Sequence, residues 1–323
     1  MVGLSGLYSS IRGDLEAVQA AFRAELVSDQ PFIQQLFEHT EQYHGKLIRP
    51  ALLLLCAQAC GGVRSAHHVL GAVVEMVHIA TLVHDDVLDH ADLRRRSATV
   101  NRLCGNERAV LLGDVLFSHA YHLCAGLESQ LAARVIGATA VTLCEGEMMQ
   151  VVNRGNFALS EAAYLDIIER KTGSLIGASA LLGARYAGAD EARARAFREF
   201  GLNLGIAFQI ADDLLDVTGS EARVGKSVGR DVETGKLTLP LIHYLREQDS
   251  AARAEMLALL GGEAADRDRR IAERLADSDS LAYATDMAAA YVQRALAGLT
   301  DLPASDGLAS LRAMAAFVID RDH

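Results

Sequence analysis

Apolar residues recur at three- and four-residue steps along nearly the whole chain, a period that predicts helices almost everywhere. Leu15–Leu26 carries the pattern first. Pro50 starts a second helix, which holds Leu52–Leu55 and stops near Gly61-Gly62. Ala66–His90 reads as one long, largely apolar helix. Further helices are predicted over Glu107–Leu127, Ala132–Val152, Glu161–Ala187, Ala192–Val217, Ser280–Leu299 and Gly307–Asp320. Breaks fall at Gly61-Gly62, Asn153–Asn156, Gly219–Gly235 and around Pro303. No stretch alternates as a strand does. A helix that is apolar on most faces must be covered by others. Ala66–His90 and Ala192–Val217 are therefore expected at the centre of a single all-α domain spanning residues 1–323.

Composition agrees with the periodicity. Half of the 323 residues are hydrophobic, only four are proline, and the 27 glycines are scattered. Such a chain favours long packed helices over sheets. A formal charge of −11 argues against nucleic-acid binding. Five cysteines leave one unpaired in any disulfide scheme. Cys56 and Cys60 lie one helical turn apart, but His67 and His68 follow at no familiar zinc spacing, so the thiols read as small buried side chains. No basic segment followed by an apolar core occupies Met1–Asp14. The longest wholly apolar runs, Ala51–Ala57 and Ala313–Ile319, fall well short of the roughly 20 residues that span a bilayer. The expectation is a soluble protein of a reducing cytoplasm, without a transmembrane segment.

The two predicted central helices end alike. One closes on His84-Asp85-Asp86-Val87-Leu88-Asp89 and the other on Ala211-Asp212-Asp213-Leu214-Leu215-Asp216. Residues four apart on a helix share a face, about 6 Å apart along the axis, so Asp85 projects with Asp89 and Asp212 with Asp216. Asp86 and Asp213 turn about 100° away, within reach of a metal-bound water or a second ion. Clustered carboxylates at the end of an apolar helix repel one another unless cations neutralise them. Oxygen ligands without His or Cys suit Mg²⁺, which keeps waters and is shared with substrate phosphates. A solvated helix end would explain one such cluster; two, each after an apolar stretch, it explains poorly. A Ca²⁺ loop fits less well, because neither cluster has its glycine-containing pattern.

A magnesium–diphosphate site also needs cationic donors, and several are present. Lys46 and Arg49 stand one turn apart in Gly45-Lys46-Leu47-Ile48-Arg49-Pro50. Arg94 and Arg95 follow the first acidic cluster. Lys171-Thr172-Gly173 interrupts an apolar helix, and Lys226 and Lys236 punctuate the loop Gly225–Pro240. Arginine offers phosphate a planar fork and lysine a compact charge. Each of these alone is ordinary surface solvation; beside two acidic clusters the set reads as a phosphate site.

These residues resemble a known family. Leu82-Val83-His84-Asp85-Asp86-Val87-Leu88-Asp89, followed by Arg94-Arg95 and Thr99-Val100-Asn101, is similar to the first aspartate-rich motif of trans-polyprenyl diphosphate synthases. Phe208-Gln209-Ile210-Ala211-Asp212-Asp213-Leu214-Leu215-Asp216 resembles the second, and Gly225-Lys226, Gly229-Arg230-Asp231 and Gly235-Lys236-Leu237-Thr238-Leu239-Pro240 resemble the loop after it. The match runs from about Gly45 to Leu302–Ser305. Two departures stand out: Arg96 replaces a usual glycine and Ala98 a frequent proline, and neither removes a ligand.

The resemblance implies the isoprenoid synthase fold, a helical bundle around a central cavity, usually as a homodimer. By position, Asp85, Asp89 and Asp212 would ligate Mg²⁺ directly, three ions with substrate bound, while Asp86, Asp213 and Asp216 support them, partly through water. Arg94, Lys171, Thr172, Gln209, Lys226 and Lys236 would surround an allylic diphosphate. Lys46, Arg49, His78 and Arg95 would hold isopentenyl diphosphate; a histidine on an apolar helix also reads as a satisfied core residue. Mg²⁺ and the cationic side chains would stabilise charge on the departing diphosphate, and the isopentenyl double bond would attack the allylic cation. An apolar cavity would exclude water, and released diphosphate would accept the proton.

Product length is expected to depend on the floor beneath the first cluster. Ala80 and Thr81 are small where short-chain relatives carry bulk, and Val77 and Val73 lie one and two turns deeper. That points to a product of roughly C30–C50, the class used for quinone side chains, released with peripheral contact to a membrane. Shorter-chain synthesis is the first alternative. A terpene cyclase would not need Lys46, Arg49 and Arg95, and a non-catalytic subunit would commonly have lost one aspartate motif.

Overall fold

The computed structural model describes residues 4–95, 97–218, 230–262, 266–300 and 302–319. The all-α expectation holds. The main helices are α1 (Arg12–Glu25), α2 (Pro31–Thr40), α3 (Ile48–Cys60), α4 (Ser65–Leu88), α5 (Asn106–Ala125), α6 (Leu131–Val152) and α7 (Glu161–Ile168). They continue with α8 (Ser174–Tyr186), α9 (Glu191–Thr218), α10 (Leu239–Glu247), α11 (Ser250–Leu260), α12 (Arg267–Ala276), α13 (Ser280–Ala297) and α14 (Asp306–Ile319). The chain divides into two compact units. One comprises Met1–Val141, Leu175–Leu202 and Leu296–Met314; the other comprises Thr142–Ser174, Asn203–Ala295 and Ala315–His323.

In the first unit α4 is the axis, packed most extensively against α5 and then against α1 and α3. Leu70, Val73, Val74, Met76, Val77, Ile79, Ala80 and Val83 of α4 are buried. Ala51–Ala57 of α3 are wholly buried as well, which explains an apolar run with no polar face. After α4 the chain forms a hairpin of two-residue strands, β1 (Leu93–Arg94) and β2 (Ser97–Ala98), with Leu93 opposite Ala98. Strands this short carry no readable alternation, and the sequence gives no sign of them.

In the second unit Tyr164, Ile167 and Ile168 of α7 pack with Ile206 and Ile210 of α9 and with Leu239, Leu241 and Ile242 of α10. Leu259, Leu260, Ile271, Leu275, Ala284 and Ala288 extend the same core. The predicted helix Glu161–Ala187 is interrupted by one π-helical turn, Glu169–Gly173, between α7 and α8. Such turns insert a residue into the hydrogen-bond ladder and recur at functional sites. The short helices α2 and α10 begin with Pro31 and Leu239-Pro240, where a missing amide donor costs nothing.

Two helices, α4 and α6, are long and apolar enough to cross a bilayer by length and composition alone. The run-length test overlooks them because Glu75 in α4, and Glu145 and Glu147 in α6, divide the apolar runs. In α4, 67% of the most apolar window is buried within the fold; in α6 only 22% is. The first is therefore a core helix, and the second keeps an apolar surface open.

Candidate active site

The first aspartate cluster lies where α4 ends at Leu88, with Asp89 as the capping residue, its N–H donating to the Asp85 carbonyl at 2.8 Å. Negative side chains at a helix C-terminus meet the negative end of its dipole, which adds to their mutual repulsion. Asp85 and Asp89 are half-buried, whereas Asp86 is 1% exposed. Three donors hold the buried carboxylate. Arg94 donates to its Oδ1 from Nε at 2.9 Å and from Nη2 at 2.7 Å, and the Tyr43 hydroxyl donates to Oδ2 at 3.0 Å. Tyr43 in turn accepts the Val100 N–H at 3.3 Å. Burial, and then the charge of Asp86, raises the Tyr43 pKa far above that of a free phenol. Burial works against the Arg94 charge, but the Asp86 hydrogen bonds and charge outweigh it.

Beside this cluster the first unit collects a further group of basic side chains. Arg49, on the first turn of α3, buries its Nε without a hydrogen-bond partner. Burial lowers its pKa to about 10, opposed by the charge of Glu75. His78 lies three residues past Glu75 on α4. Its pKa is held well below the ordinary histidine value, by burial first and then by Arg49, Arg94, Arg95 and His44. Arg95 donates from Nη1 to the Tyr43 carbonyl at 2.8 Å. Gly45 packs so closely on the Arg95 guanidinium that a Cβ there would displace it. Lys46 is exposed on the approach to α3. The described non-glycine residues with positive φ are Leu47 (51°), His90 (49°) and Arg95 (50°), all within these segments. Backbone strain of this kind collects at binding sites. Val73, Val77 and Ala80 are buried along α4, and Thr81, half-buried, donates to the His78 carbonyl at 2.7 Å.

The second cluster ends α9 in the other unit and repeats the arrangement. Asp212 and Asp216 are half-buried, and Asp213 is 6% exposed. The Tyr164 hydroxyl donates to Asp213 Oδ2 at 2.6 Å, and Gln209 Nε2 to its Oδ1 at 2.8 Å. Thr172 completes the chain by donating to Gln209 Oε1 at 2.8 Å. Burial, and then the charge of Asp231, raises the Asp213 pKa. Asp216 Oδ2 accepts the Asp231 N–H at 3.0 Å, while the Lys236 N–H donates to the Asp231 carbonyl at 2.7 Å. Lys171, on the π-helical turn, pairs with Glu147 and donates to Gln150 Oε1 at 2.7 Å. Gly146 permits this close approach: an added Cβ would stand 2.9 Å from the Lys171 amide nitrogen.

Each unit thus assembles its own share of the predicted residues. Asp85, Asp86, Asp89, Lys46, Arg49, His78, Arg94 and Arg95 belong to the first; Asp212, Asp213, Asp216, Lys171, Thr172, Gln209 and Lys236 belong to the second. Lys226 and Arg96 lie outside the described residues. Among the described residues no three His, Cys, Asp or Glu side chains form a ready metal cage. Half-buried aspartates with oxygen donors alone fit a hard cation that takes its remaining ligands from water and phosphate. Sequence reasoning missed Tyr43, Tyr164, Glu75 and Glu147, which touch or face the predicted groups, and named Asp231 only as part of the loop motif Gly229-Arg230-Asp231. Only Glu75 carried a signal, as a carboxylate within an otherwise apolar stretch of helix.

Comparison with known proteins decides the family, because the polyprenyl synthetase family model matches residues 30–277. The chain belongs to the polyprenyl synthetase family. This synthetase is 35% identical over 312 residues to octaprenyl diphosphate synthase of Haemophilus influenzae, covering 96% of this chain and 94% of that one. It is also 31% identical over 317 residues to geranylgeranyl diphosphate synthase of Sulfolobus acidocaldarius, covering 95% and 96%. Among solved structures, the polyprenyl synthase of Caulobacter crescentus complexed with calcium and isoprenyl diphosphate matches it with a TM-score of 0.94. The identity there is 34%, covering 99% of this chain and 98% of that one.

Proposed function

We propose that this synthetase is a magnesium-dependent, long-chain trans-polyprenyl diphosphate synthase that extends an allylic diphosphate with isopentenyl diphosphate. The observation that carries the reading is the pair of guanidinium groups, Arg49 and Arg95, gathered with the His78 ring beside the first carboxylate cluster. Ionisation of one diphosphate, as in cyclisation, has no use for a second anion site; condensation needs one. Asp85, Asp89 and Asp212 would hold the metal, with Asp86, Asp213 and Asp216 supporting them. When bound, magnesium would stabilise negative charge on the leaving diphosphate.

The protein's own groups supply the rest. Arg94, Lys171, Thr172, Gln209, Lys226 and Lys236 would bind the allylic diphosphate, and Lys46, Arg49, His78 and Arg95 would bind isopentenyl diphosphate. Arg94 and Lys171 have carboxylate partners, Asp86 and Glu147, which balance their charges. His78, held neutral at ordinary pH by burial and its cationic neighbours, would contribute hydrogen bonding rather than charge.

The similarity to both an octaprenyl and a geranylgeranyl synthase leaves product length to the residues of α4. Small Ala80 and Thr81 above Val77 and Val73 favour a long product. The stripe Val141, Met148 and Val152 on α6, exposed by 60%, 68% and 82%, supports a homodimer in which a second copy covers it. Size-exclusion chromatography with light scattering tests this, with Met148→Glu expected to shift the protein towards monomer.

The deciding experiment incubates the protein with Mg²⁺, labelled isopentenyl diphosphate and separate allylic primers, then resolves products by length. Incorporation into products beyond geranylgeranyl is expected. No incorporation with any primer would reject the enzyme; elongation ending at three or four units would reject the long-chain assignment.

A further inference from the structure

Glu75 has no role in the reaction as described, yet its placement is costly. It lies on α4 between Val74 and Met76 and is 3% exposed. A buried carboxylate is tolerated only with partners. Its contact is the His44 ring, with Nδ1 3.3 Å from Oε1. Tyr43 and Gly45, which flank His44, hold the Arg95 guanidinium through the Tyr43 carbonyl and by close packing. His78 stands one helical turn along α4, on the same face as Glu75. No ion pair joins Glu75 to Arg49, and the buried Arg49 Nε finds no acceptor. The carboxylate therefore lies within the cationic group without occupying that donor.

We propose that Glu75 is the resident counter-charge of the isopentenyl diphosphate pocket: it holds the cations together when the pocket is empty and weakens the pocket's grip on the incoming diphosphate. The inference rests on assigning Arg49, His78 and Arg95 to that substrate. Arg49, Arg94 and Arg95 gather around His78, where Arg94 and Arg95 repel, and an internal anion offsets like charge at such a site before substrate arrives. Its charge then opposes the substrate's own, so the site exchanges a small anionic substrate once per elongation cycle without trapping it. The field of Glu75 on both Arg49 and Arg95 is in the direction this requires, favouring their charged forms.

The test compares wild type, Glu75→Gln and Glu75→Asp by calorimetric titration with isopentenyl diphosphate and by thermal unfolding with and without it. Glu75→Gln keeps the shape and loses the charge. It should bind isopentenyl diphosphate about five- to tenfold more tightly, with KM for the allylic primer unchanged. Its melting temperature should fall without ligand and recover when ligand is added, while Glu75→Asp should stay near wild type in affinity. Unchanged or weaker binding by Glu75→Gln, or a melting loss that ligand does not restore, would overturn the proposal. If Glu75→Gln does not fold, Arg49→Gln added to it should restore folding by removing the charge left unbalanced; a double variant that stays unfolded also overturns it. Absence of binding by the wild type would instead reject the substrate assignment.

Discussion

The Tyr164 hydroxyl donates to Asp213 at 2.6 Å, tying the buried middle carboxylate of the second cluster to the apolar core of α7, α9 and α10. Tyr43 does the same for Asp86 in the first cluster, at 3.0 Å. In both cases the outer aspartates remain half-buried while the middle one is shut in. A carboxylate sealed from water needs its donors. The two middle residues thus act as anchors that fix the last helical turn, and with it the direction in which the outer pair projects. In the proposed metal site their support of a cation would be mechanical before it is electrostatic.

Tyr164→Phe and Tyr43→Phe follow from this. Each removes one hydrogen bond to a buried carboxylate and should cost about 1.5–3 kcal/mol of stability, read by urea unfolding. Asp213 keeps Gln209, and Asp86 keeps Arg94, so both variants should fold. Looser outer aspartates should raise the Mg²⁺ concentration needed for half-maximal activity several-fold. An unaltered Mg²⁺ titration in both variants would mean that the tyrosines stabilise the fold alone.

The aspartate clusters were legible because DDxxD places two carboxylates on one helical face and the preceding residues are apolar. The long helices were legible for the same reason of period. Tyr43 and Tyr164 were not, since a tyrosine 43 residues before one partner and 49 before the other leaves no mark in local spacing. The β1–β2 hairpin that carries Arg94 and Arg95 was missed because two residues cannot display alternation. The π-helical turn was half-visible: Lys171-Thr172-Gly173 marked a break in the apolar pattern but not its geometry. Long-range pairing and backbone strain are set by tertiary packing, and that information is spread along the whole chain.

Gly45 offers a way to move Arg95, a proposed substrate-binding cation, without unfolding the protein. A Cβ there meets the Arg95 guanidinium, the far end of a flexible side chain, so the cost falls on the placement of Arg95. Gly45→Ala should raise KM for isopentenyl diphosphate about tenfold, equivalent to about 1.4 kcal/mol. KM for the allylic primer and the melting temperature should change little. Equal effects on both KM values would show that Arg95 does not discriminate between the substrates.

Histidine burial gives the protein an acid-sensitive stability. The His78 pKa is lowered from 6.5 by burial and then by the neighbouring arginines Arg49, Arg94 and Arg95. His67 and His243 are lowered by burial too, against opposing hydrogen bonds with Gly183 and Arg64 at the first and the charges of Glu247, Glu161 and Asp279 at the second. Between the depressed value and about 6.5 the unfolded chain binds protons that the folded chain does not, so unfolding free energy falls as pH falls. The contribution is intact above about 6.5 and is lost below it, with a slope of at most about 1.4 kcal/mol per pH unit per histidine. Urea unfolding at several pH values should show this decline, and His78→Gln should make it shallower. An equal slope in the variant would mean that His78 is protonated alike in both states.

Product length offers the sharpest test of how α4 is used. Ala80 is wholly buried, one helical turn before His84, and Val77 and Val73 continue down the helix. If Ala80 borders the channel that receives the growing chain, Phe fills that channel, and Ala80→Phe should shift the products towards shorter polyprenyl diphosphates. If instead its methyl is packed into the seam with neighbouring helices, Phe overpacks that seam, at a cost of about 1–3 kcal/mol. The two cases separate cleanly. Shortened products with a near-native melting temperature place the floor at Ala80. An unchanged product distribution with a lowered melting temperature places Ala80 in the core and moves the floor to another helix.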